Sequence, residues 1–198
     1  MVINTQLNDG TAVCIRRVRA DDEERLKDGI ARLSAKSRYL RFFSGASEPP
    51  PHVIDALLDV DGYNHIAWGA IATDEPGHPA MGVVHAFRDK DDPQAAEFSV
   101  AVIDEYHGRG LARLLSTALL LDCHREGLER FILHILPENK PAILLAKSLG
   151  ADPARTISGV TILDIDVEGA LRSLRAIDDV PGIEDLFAAF DWPASQAE

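Results

Sequence analysis

The sequence predicts a mixed α/β fold with one mostly antiparallel sheet flanked by helices. Three apolar segments at residues 63–73, 80–87 and 95–103 follow one another through short turns rich in Gly, Pro and Asp. Segments joined in this way favour an antiparallel meander. After residue 103 the apolar residues change to helical spacing, and helical and extended segments then alternate. These two patterns together predict one sheet covered by helices.

The segments before the meander are predicted as one strand and three helices. Residues 11–19 form a strand, because apolar residues lie among short polar steps. Residues 20–33 form a helix that Asp21 or Asp22 caps. Residues 34–43 form a second helix with Ser34 as its N-cap, and a short helical segment follows a proline-rich break at residues 51–59.

The segments after the meander alternate between helix and strand. Residues 109–125 place five apolar side chains on one helix face, which indicates a packed helix that ends at Gly127. Residues 130–136 are apolar on both faces apart from His134, so we expect a central strand covered by helices. The remaining predicted elements are a helix at 139–149, a strand at 160–165 and helices at 167–177 and 183–190.

Composition narrows the class of protein. The 198 residues suit one domain, and the net charge of −12 argues against nucleic acid as the main partner. The same charge suits a cationic acceptor, or serves solubility alone. We expect no membrane span and no signal peptide, because no apolar segment has the required length or flanks. We expect no metal site, since Cys14 and Cys123 lack metal-type spacing. These expectations favour a cytoplasmic protein. After Arg175 the chain has no Lys or Arg, which predicts an acidic tail packed on the domain or on a partner and leaves a homodimer open.

Residues 100–113 form the most informative segment, because they run from a strand through a glycine-containing turn into a helix. The first N–H groups of a helix have no internal partner, and the helix dipole makes that end positive, so a diphosphate binds there. Gly108 and Gly110 remove side chains that would block its approach, and Arg109 and Arg113 add charged donors. Neither the Walker pattern nor the dinucleotide fingerprint is present, since Arg113 stands where the latter needs Gly or Ala.

This segment resembles motif A of the GNAT acetyltransferases, with His107, Gly110 and Ala112 in the places of the family pattern. Residues 139–151 are similar to the family's next helix, which begins with Asn and ends in a Leu-Gly pair. Residues 34–43 resemble the corresponding part of the GNAT domain of Pat-type protein lysine acetyltransferases. The resemblance covers about residues 11–166, and it implies a GNAT domain at 1–166 and a helical acidic tail at 167–198.

The resemblance implies an N-acetyltransferase that uses acetyl-CoA as cosubstrate and a primary amine, including a protein lysine, as acceptor. Two other functions stay open. One is a non-catalytic domain that senses acyl-CoA, and the other is an enzyme that acetylates a small-molecule amine.

The resemblance also implies the site residues. Glu97 matches the general base of the Pat-type branch, and His134 is a weaker catalytic alternative. Without a catalytic role, Glu97 would be an exposed glutamate at the edge of the sheet and His134 a hydrogen-bonded core histidine. Asn139 contacts the cofactor, caps its helix, or does both. Ala146 stands where many members have a Tyr acid, so no general acid is assigned. Arg38, Tyr39 and Arg41 line an acceptor groove or pack on the sheet. The expected cofactor-binding residues are Val100, Ala101, Val102, His107, Gly108, Arg109, Gly110, Leu111, Ala112, Arg113 and Asn139.

Overall fold

The computed structural model describes residues 1–44, 46, 48–152, 155–176 and 180–193. Within them, eight strands form one sheet in the order β1-β2-β3-β4-β5-β6-β8-β7. All neighbouring pairs are antiparallel except β5 and β6, which are parallel. The strands are β1 (Val2–Gln6), β2 (Ala12–Arg17), β3 (His65–Ala72), β4 (Ala80–Arg88), β5 (Ala95–Val102), β6 (Arg130–Ile135), β7 (Arg155–Ile157) and β8 (Val160–Asp166).

Seven α-helices cover the two faces of the sheet in the described part of the chain. They are α1 (Glu23–Arg32), α2 (Ala35–Phe42), α3 (Pro51–Leu58), α4 (Leu111–Arg125), α5 (Lys140–Ser148), α6 (Val167–Arg175) and α7 (Ile183–Ala189). Among the described residues, none of these helices is long and apolar enough to cross a bilayer. The mixed fold with a mostly antiparallel sheet is therefore confirmed.

The helix ends follow the predicted capping residues in part. The hydroxyl of Ser34 accepts a hydrogen bond from the N–H of Ser37 at 3.1 Å, as an N-cap does. Asp22 occupies the N-cap position of α1, but its carboxylate accepts from Arg16 and Arg25 and makes no cap bond to α1. Burial alone would raise the pKa of Asp22, but hydrogen bonds from Arg16, from the Arg19 N–H and from Arg25, together with the Arg16 charge, lower the pKa to about 2.

Two strands of the sheet were not predicted. The edge strand β1 alternates burial along its length, but its buried positions are only Ile3 and Thr5, which is a short signal. The three residues of β7 are all exposed, so no hydrophobic pattern marks them. Both strands exist because each pairs antiparallel with a neighbour, β2 and β8 respectively.

The prediction that the segment at 130–136 is covered on both faces is wrong. In β6 one face is buried by Phe131, Leu133 and Ile135, whereas His134 on the other face is exposed. His134 on this face lines a cavity that it shares with Glu97 of β5.

Helix α4 lies at the centre of the core. Its leucines are fully buried, and it contacts β3 and β4 on one side and α6 and α7 on the other. The predicted start at residue 109 is two residues early, because Gly110 adopts a left-handed conformation and the helix begins at Leu111.

A buried carboxylate fixes α4 to the sheet. Asp122 on α4 is 2% exposed and accepts two hydrogen bonds from the guanidinium of Arg17 on β2, at 2.8 and 2.5 Å. It also accepts from the indole N–H of Trp68 on β3 at 2.8 Å. Since the buried charge and the buried indole donor satisfy each other, the register between helix and sheet is fixed.

The C-terminal helices pack against the same core. Leu171 and Leu174 of α6 and Leu186 and Phe187 of α7 are buried in the main hydrophobic cluster. The division into a domain at 1–166 and a tail at 167–198 stays a prediction.

We expect Asp122→Asn to lower the free energy of unfolding by about 2–4 kcal/mol. The substitution removes the negative charge that pairs with Arg17, and it replaces one accepting oxygen with an NH₂ group that donates. Urea denaturation measures this. The control is Glu168→Gln, which breaks the exposed ion pair with Arg172 and should cost less than about 1 kcal/mol. Equal costs for the two variants would contradict the assignment.

Candidate acyl-transfer site

Strands β5 and β6 pair over only three residues each and then diverge. The parallel register joins Ala95, Ala96 and Glu97 to Arg130, Phe131 and Ile132. Beyond Glu97, the described residues of β5 keep their antiparallel pairing with β4 but have no partner on the β6 side. The divergence therefore exposes one edge of a strand in the interior of the sheet.

A cavity of about 340 Å³ lies at this divergence. We refer to it as the central cavity. Its walls come from β5, β6, α5, α2 and the segment between α2 and α3. The lining includes Arg38, Arg41, Phe42, Glu48, Glu97, Ser99, Val100, Leu133, His134, Asn139 and Leu145.

The exposed edge of β5 presents main-chain groups to this gap. The N–H of Ile103 donates to Met81 of β4 at 2.9 Å. Because N–H and C=O groups alternate in direction along a strand, Ala101 also faces β4, whereas Val100 and Val102 face the gap. The Val102 carbonyl already accepts a hydrogen bond from Nε2 of His107 at 2.8 Å. Val100 thus offers both an N–H and a C=O, and Val102 an N–H.

The start of α4 leaves main-chain donors open. Gly108 and Gly110 have φ angles of 74° and 86°, which few other residues adopt. Among the described residues, the N–H groups from position 108 to 112 have no hydrogen-bond acceptor, whereas Arg113 and Leu114 donate to the Gly110 carbonyl. The open donors lie at the positive end of a 15-residue helix.

One side of this loop is covered by protein and the other is open. The Asn8 N–H donates to the Arg109 carbonyl at 3.1 Å, and a Cβ on Gly110 would lie 2.7 Å from Oδ1 of Asn8. A Cβ on Gly108 would meet no atom within 4 Å. The loop is therefore held from the β1–β2 side, and space remains beside Gly108.

The two arginines of the loop have protein contacts. Arg109 forms an ion pair with Asp9 at 3.0 Å and lies 5.5 Å from the centre of the Tyr106 ring. Hydrogen bonds from Thr11, aided by the Arg109 charge, lower the pKa of Asp9. Arg113 also has a contact. His107 uses Nε2 on the Val102 carbonyl, so it supports the loop from the strand side.

Glu97 and His134 come together at the point of divergence. Oε1 of Glu97 lies 3.8 Å from Nδ1 of His134, and both side chains are substantially exposed, at 60% and 40%. Both line the central cavity. A carboxylate in this position can exchange protons with water and also reach a molecule in the cavity.

The family model described as the acetyltransferase (GNAT) family matches residues 33–151, which is more than half of the chain. The chain belongs to the GNAT acetyltransferase family. The chain is 28% identical over 165 residues to the acetyltransferase Pat of Mycolicibacterium smegmatis, which covers 83% of this chain and 49% of that protein. It is 31% identical over 121 residues to an acetyltransferase of Pseudomonas aeruginosa, which covers 61% of this chain and 64% of that protein. The chain thus spans less than two thirds of each relative.

Among solved structures, the GNAT domain of S. lividans PAT matches with a TM-score of 0.76 at 24% identity. The match covers 83% of this chain and 96% of that domain. At this identity the likeness shows the fold. The resemblance to the GNAT domain of Pat-type enzymes is therefore confirmed.

Two residues considered in the sequence analysis lie at or in helix α5. The side chain of Asn139 caps this helix by accepting from the N–H of Ala142 at 3.3 Å, and Asn139 also lines the central cavity. Ala146 is fully buried in the core. The cap is thus observed, and the cofactor contact of Asn139 stays a prediction.

Two features of the site were missed in the sequence. Asp104, which lies between β5 and the start of α4, accepts hydrogen bonds from the Ser34 N–H and from the hydroxyls of Ser34 and Ser37, and so fixes the start of α2. Partial burial alone would raise the pKa of Asp104, but these bonds lower it overall. On β5, Ser99 accepts from Nη2 of Arg41 at 3.0 Å. Its position two residues after Glu97, on the same strand face, is the signal that could have found it.

We expect Gly110→Ala to destabilise the fold more than Gly127→Ala. Both glycines have positive φ, so each substitution costs about 1–2 kcal/mol in backbone strain. Only Gly110 would also press its Cβ against Asn8 and Val180, which adds about 1 kcal/mol or more. Thermal and urea unfolding of the pair measure the difference. Equal losses would mean that Asn8 moves aside freely.

Proposed function

We propose that this protein is an N-acetyltransferase that transfers the acetyl group of acetyl-CoA to a primary amine. The observation that carries the proposal is the divergence of β5 and β6, which brings an open strand edge, an exposed carboxylate and a lined cavity to one place. Family membership and the acetyltransferase names of the two relatives support the same activity.

The described residues fit the two polar parts of acetyl-CoA. Five open N–H groups at the start of α4, with space beside Gly108, suit the diphosphate. The edge of β5 at Val100 suits the amide groups of the pantetheine arm, which would add to it as a short strand does. Asn139, which precedes α5 and lines the central cavity, is proposed to contact the arm. Since Arg109 is paired with Asp9, the main chain is the principal phosphate ligand in this proposal.

Glu97 is proposed as the general base. An amine attacks a carbonyl carbon only in its neutral form, so its proton must pass to a base directly or through water. Glu97 has no ion pair within hydrogen-bond distance among the described residues, and its exposure lets the proton leave to solvent. His134 lies beside it and is the weaker, alternative candidate for the catalytic residue.

The reaction forms a C–N bond and breaks a C–S bond. Acetyl-CoA supplies an acyl group that is activated as a thioester. The Val100 N–H is proposed to bind the carbonyl oxygen as it becomes negative. The amine proton passes to Glu97, and the leaving thiolate takes a proton from water. With Ala146 in the place of a Tyr acid, the thiolate leaves unaided, which a thiol pKa of roughly 8.5 allows.

The acceptor is a primary amine, and a protein lysine is the first candidate. The likeness to Pat and the net charge of −12, which attracts cations, support it. A small-molecule amine is the second candidate, because the central cavity is large enough for one. Cytoplasmic location, a homodimer and the separation of a tail at 167–198 remain proposals.

A non-catalytic sensor of acyl-CoA is the alternative function. The buried Ala146 favours it, because the usual acid of this helix is absent. Titration with acetyl-CoA combined with a turnover assay on a panel of amines and proteins separates the two functions. Tight binding with no turnover of any acceptor would favour the sensor.

We expect Glu97→Gln to lower kcat/KM for the amine by about 100-fold or more, because the amide does not accept the proton. Steady-state kinetics with acetyl-CoA and an unbiased acceptor panel measure the change. The affinity for acetyl-CoA should stay within about threefold of the wild type, since Glu97 does not contact the diphosphate in this proposal.

Glu48→Gln is the matched control. Glu48 is an exposed carboxylate that also lines the central cavity, so it separates loss of a base from loss of local charge. Glu97→Gln and Glu48→Gln with the same activity would remove Glu97 from the mechanism.

A further inference from the structure

Arg41 is a cation in the central cavity without a carboxylate partner. It extends from α2 and donates from Nη2 to the hydroxyl of Ser99 at 3.0 Å. The ring of Phe42 lies 5.1 Å from its guanidinium carbon. In the described ranges no carboxylate forms an ion pair with it, although the chain has 32 Asp and Glu residues. Its remaining N–H donors have no acceptor among those residues.

A second guanidinium lines the same cavity one helical turn earlier. Arg38 donates from Nη1 to the Leu33 carbonyl at 2.5 Å, which satisfies the end of α1. Its Nε is buried and has no hydrogen-bond partner in the described chain. Residues three apart on a helix share a face, so both positive charges act on one wall of the cavity.

The environment makes an unpaired cation costly. Burial lowers the pKa of Arg41, and the charge of Glu97 acts in the opposite direction. A partly desolvated charge is normally paired, because removing it from water without a partner costs free energy. Two such cations on one wall indicate that an anion belongs in the cavity when substrate is bound.

We propose that Arg41, with Arg38 beside it, binds a carboxylate of the substrate, so that the acceptor is an amine that also carries a carboxylate. This inference rests on the proposed function and favours its second candidate acceptor, a small-molecule amine, because a lysine residue within a protein chain has no free carboxylate of its own. Glu97 and Ser99 lie two residues apart on the same face of β5, which separates their positions by about 6–7 Å. An acceptor with its amine at Glu97 and its carboxylate at the Arg41–Ser99 pair must therefore span about 6–7 Å between these two groups. The side-chain amine of lysine spans such a separation from its own carboxylate, whereas an α-amine does not.

The test compares lysine with cadaverine, which is lysine without its carboxylate. With acetyl-CoA as donor, we expect the wild type to favour lysine in kcat/KM by about tenfold or more, the value of one charge-assisted contact. Arg41→Gln should lower kcat/KM for lysine at least fivefold more than for cadaverine. Arg41→Lys, which keeps the charge, should retain part of the preference.

Arg172→Gln is the matched control, because Arg172 is exposed on α6 and pairs only with Glu168 among the described residues. It should leave the ratio of lysine to cadaverine unchanged. If the wild type shows no preference, or favours cadaverine, and Arg41→Gln does not alter the ratio, the acceptor carboxylate is excluded.

A second arm tests whether the carboxylate comes from the acyl donor. Succinyl-CoA and acetyl-CoA are compared with cadaverine as acceptor. A preference for succinyl-CoA that Arg41→Gln removes would keep the carboxylate site and assign it to the donor. The proposal is overturned if neither arm shows a preference that depends on Arg41.

Binding separates this inference from the proposed function. Calorimetry measures lysine and cadaverine binding to the protein saturated with CoA. If no amine is acetylated but lysine binds more tightly through Arg41, the acetyltransferase proposal fails and the carboxylate site stands. If cadaverine is acetylated and no carboxylate preference appears in rate or binding, the site fails and the acetyltransferase proposal stands.

Discussion

The first N–H groups of α4 cannot be satisfied within the helix, and the location of this helix end governs the rest of the site. Residues 103–110, with a 3-10 turn at Asp104–Tyr106, connect β5 to α4, and left-handed Gly110 starts the helix. Asn8 holds the loop from one side, and the side of Gly108 stays open. A ligand with a diphosphate can supply the missing acceptors without a cluster of basic side chains.

One strand, β5, serves both sides of the proposed reaction. Its main-chain edge at Val100 faces the gap, and its side chains at Glu97 and Ser99 face the central cavity. The buried carboxylate of Asp122 fixes α4 against β2 and β3, and Asp104 fixes the start of α2. The proposed cofactor and acceptor sites are therefore positioned relative to a single rigid element, which transfer between two bound molecules requires.

The sequence predicted elements that have strong local signals. The stripe from Leu111 to Leu119 marked α4, and Ser34 marked the start of α2, because periodicity and caps act over a few residues. The open face at His134 was not predicted, since it depends on where two strands separate. The contact between Arg41 and Ser99 joins residues 58 positions apart, and no local pattern encodes it. For the site, the sequence singled out Glu97 and Gly110 as candidate residues, but it did not predict which residues surround them.

The central claim is that open main-chain donors at the start of α4 bind the diphosphate of coenzyme A. It is tested most directly by nuclear magnetic resonance of ¹⁵N-labelled protein titrated with CoA and, separately, with pantetheine, which lacks the diphosphate. We expect CoA to shift the amide resonances of Gly108, Gly110 and Ala112 strongly, and pantetheine to leave them nearly unchanged while it shifts Val100. If CoA binds without moving the three loop amides, or if pantetheine moves them equally, the diphosphate does not bind at this helix end.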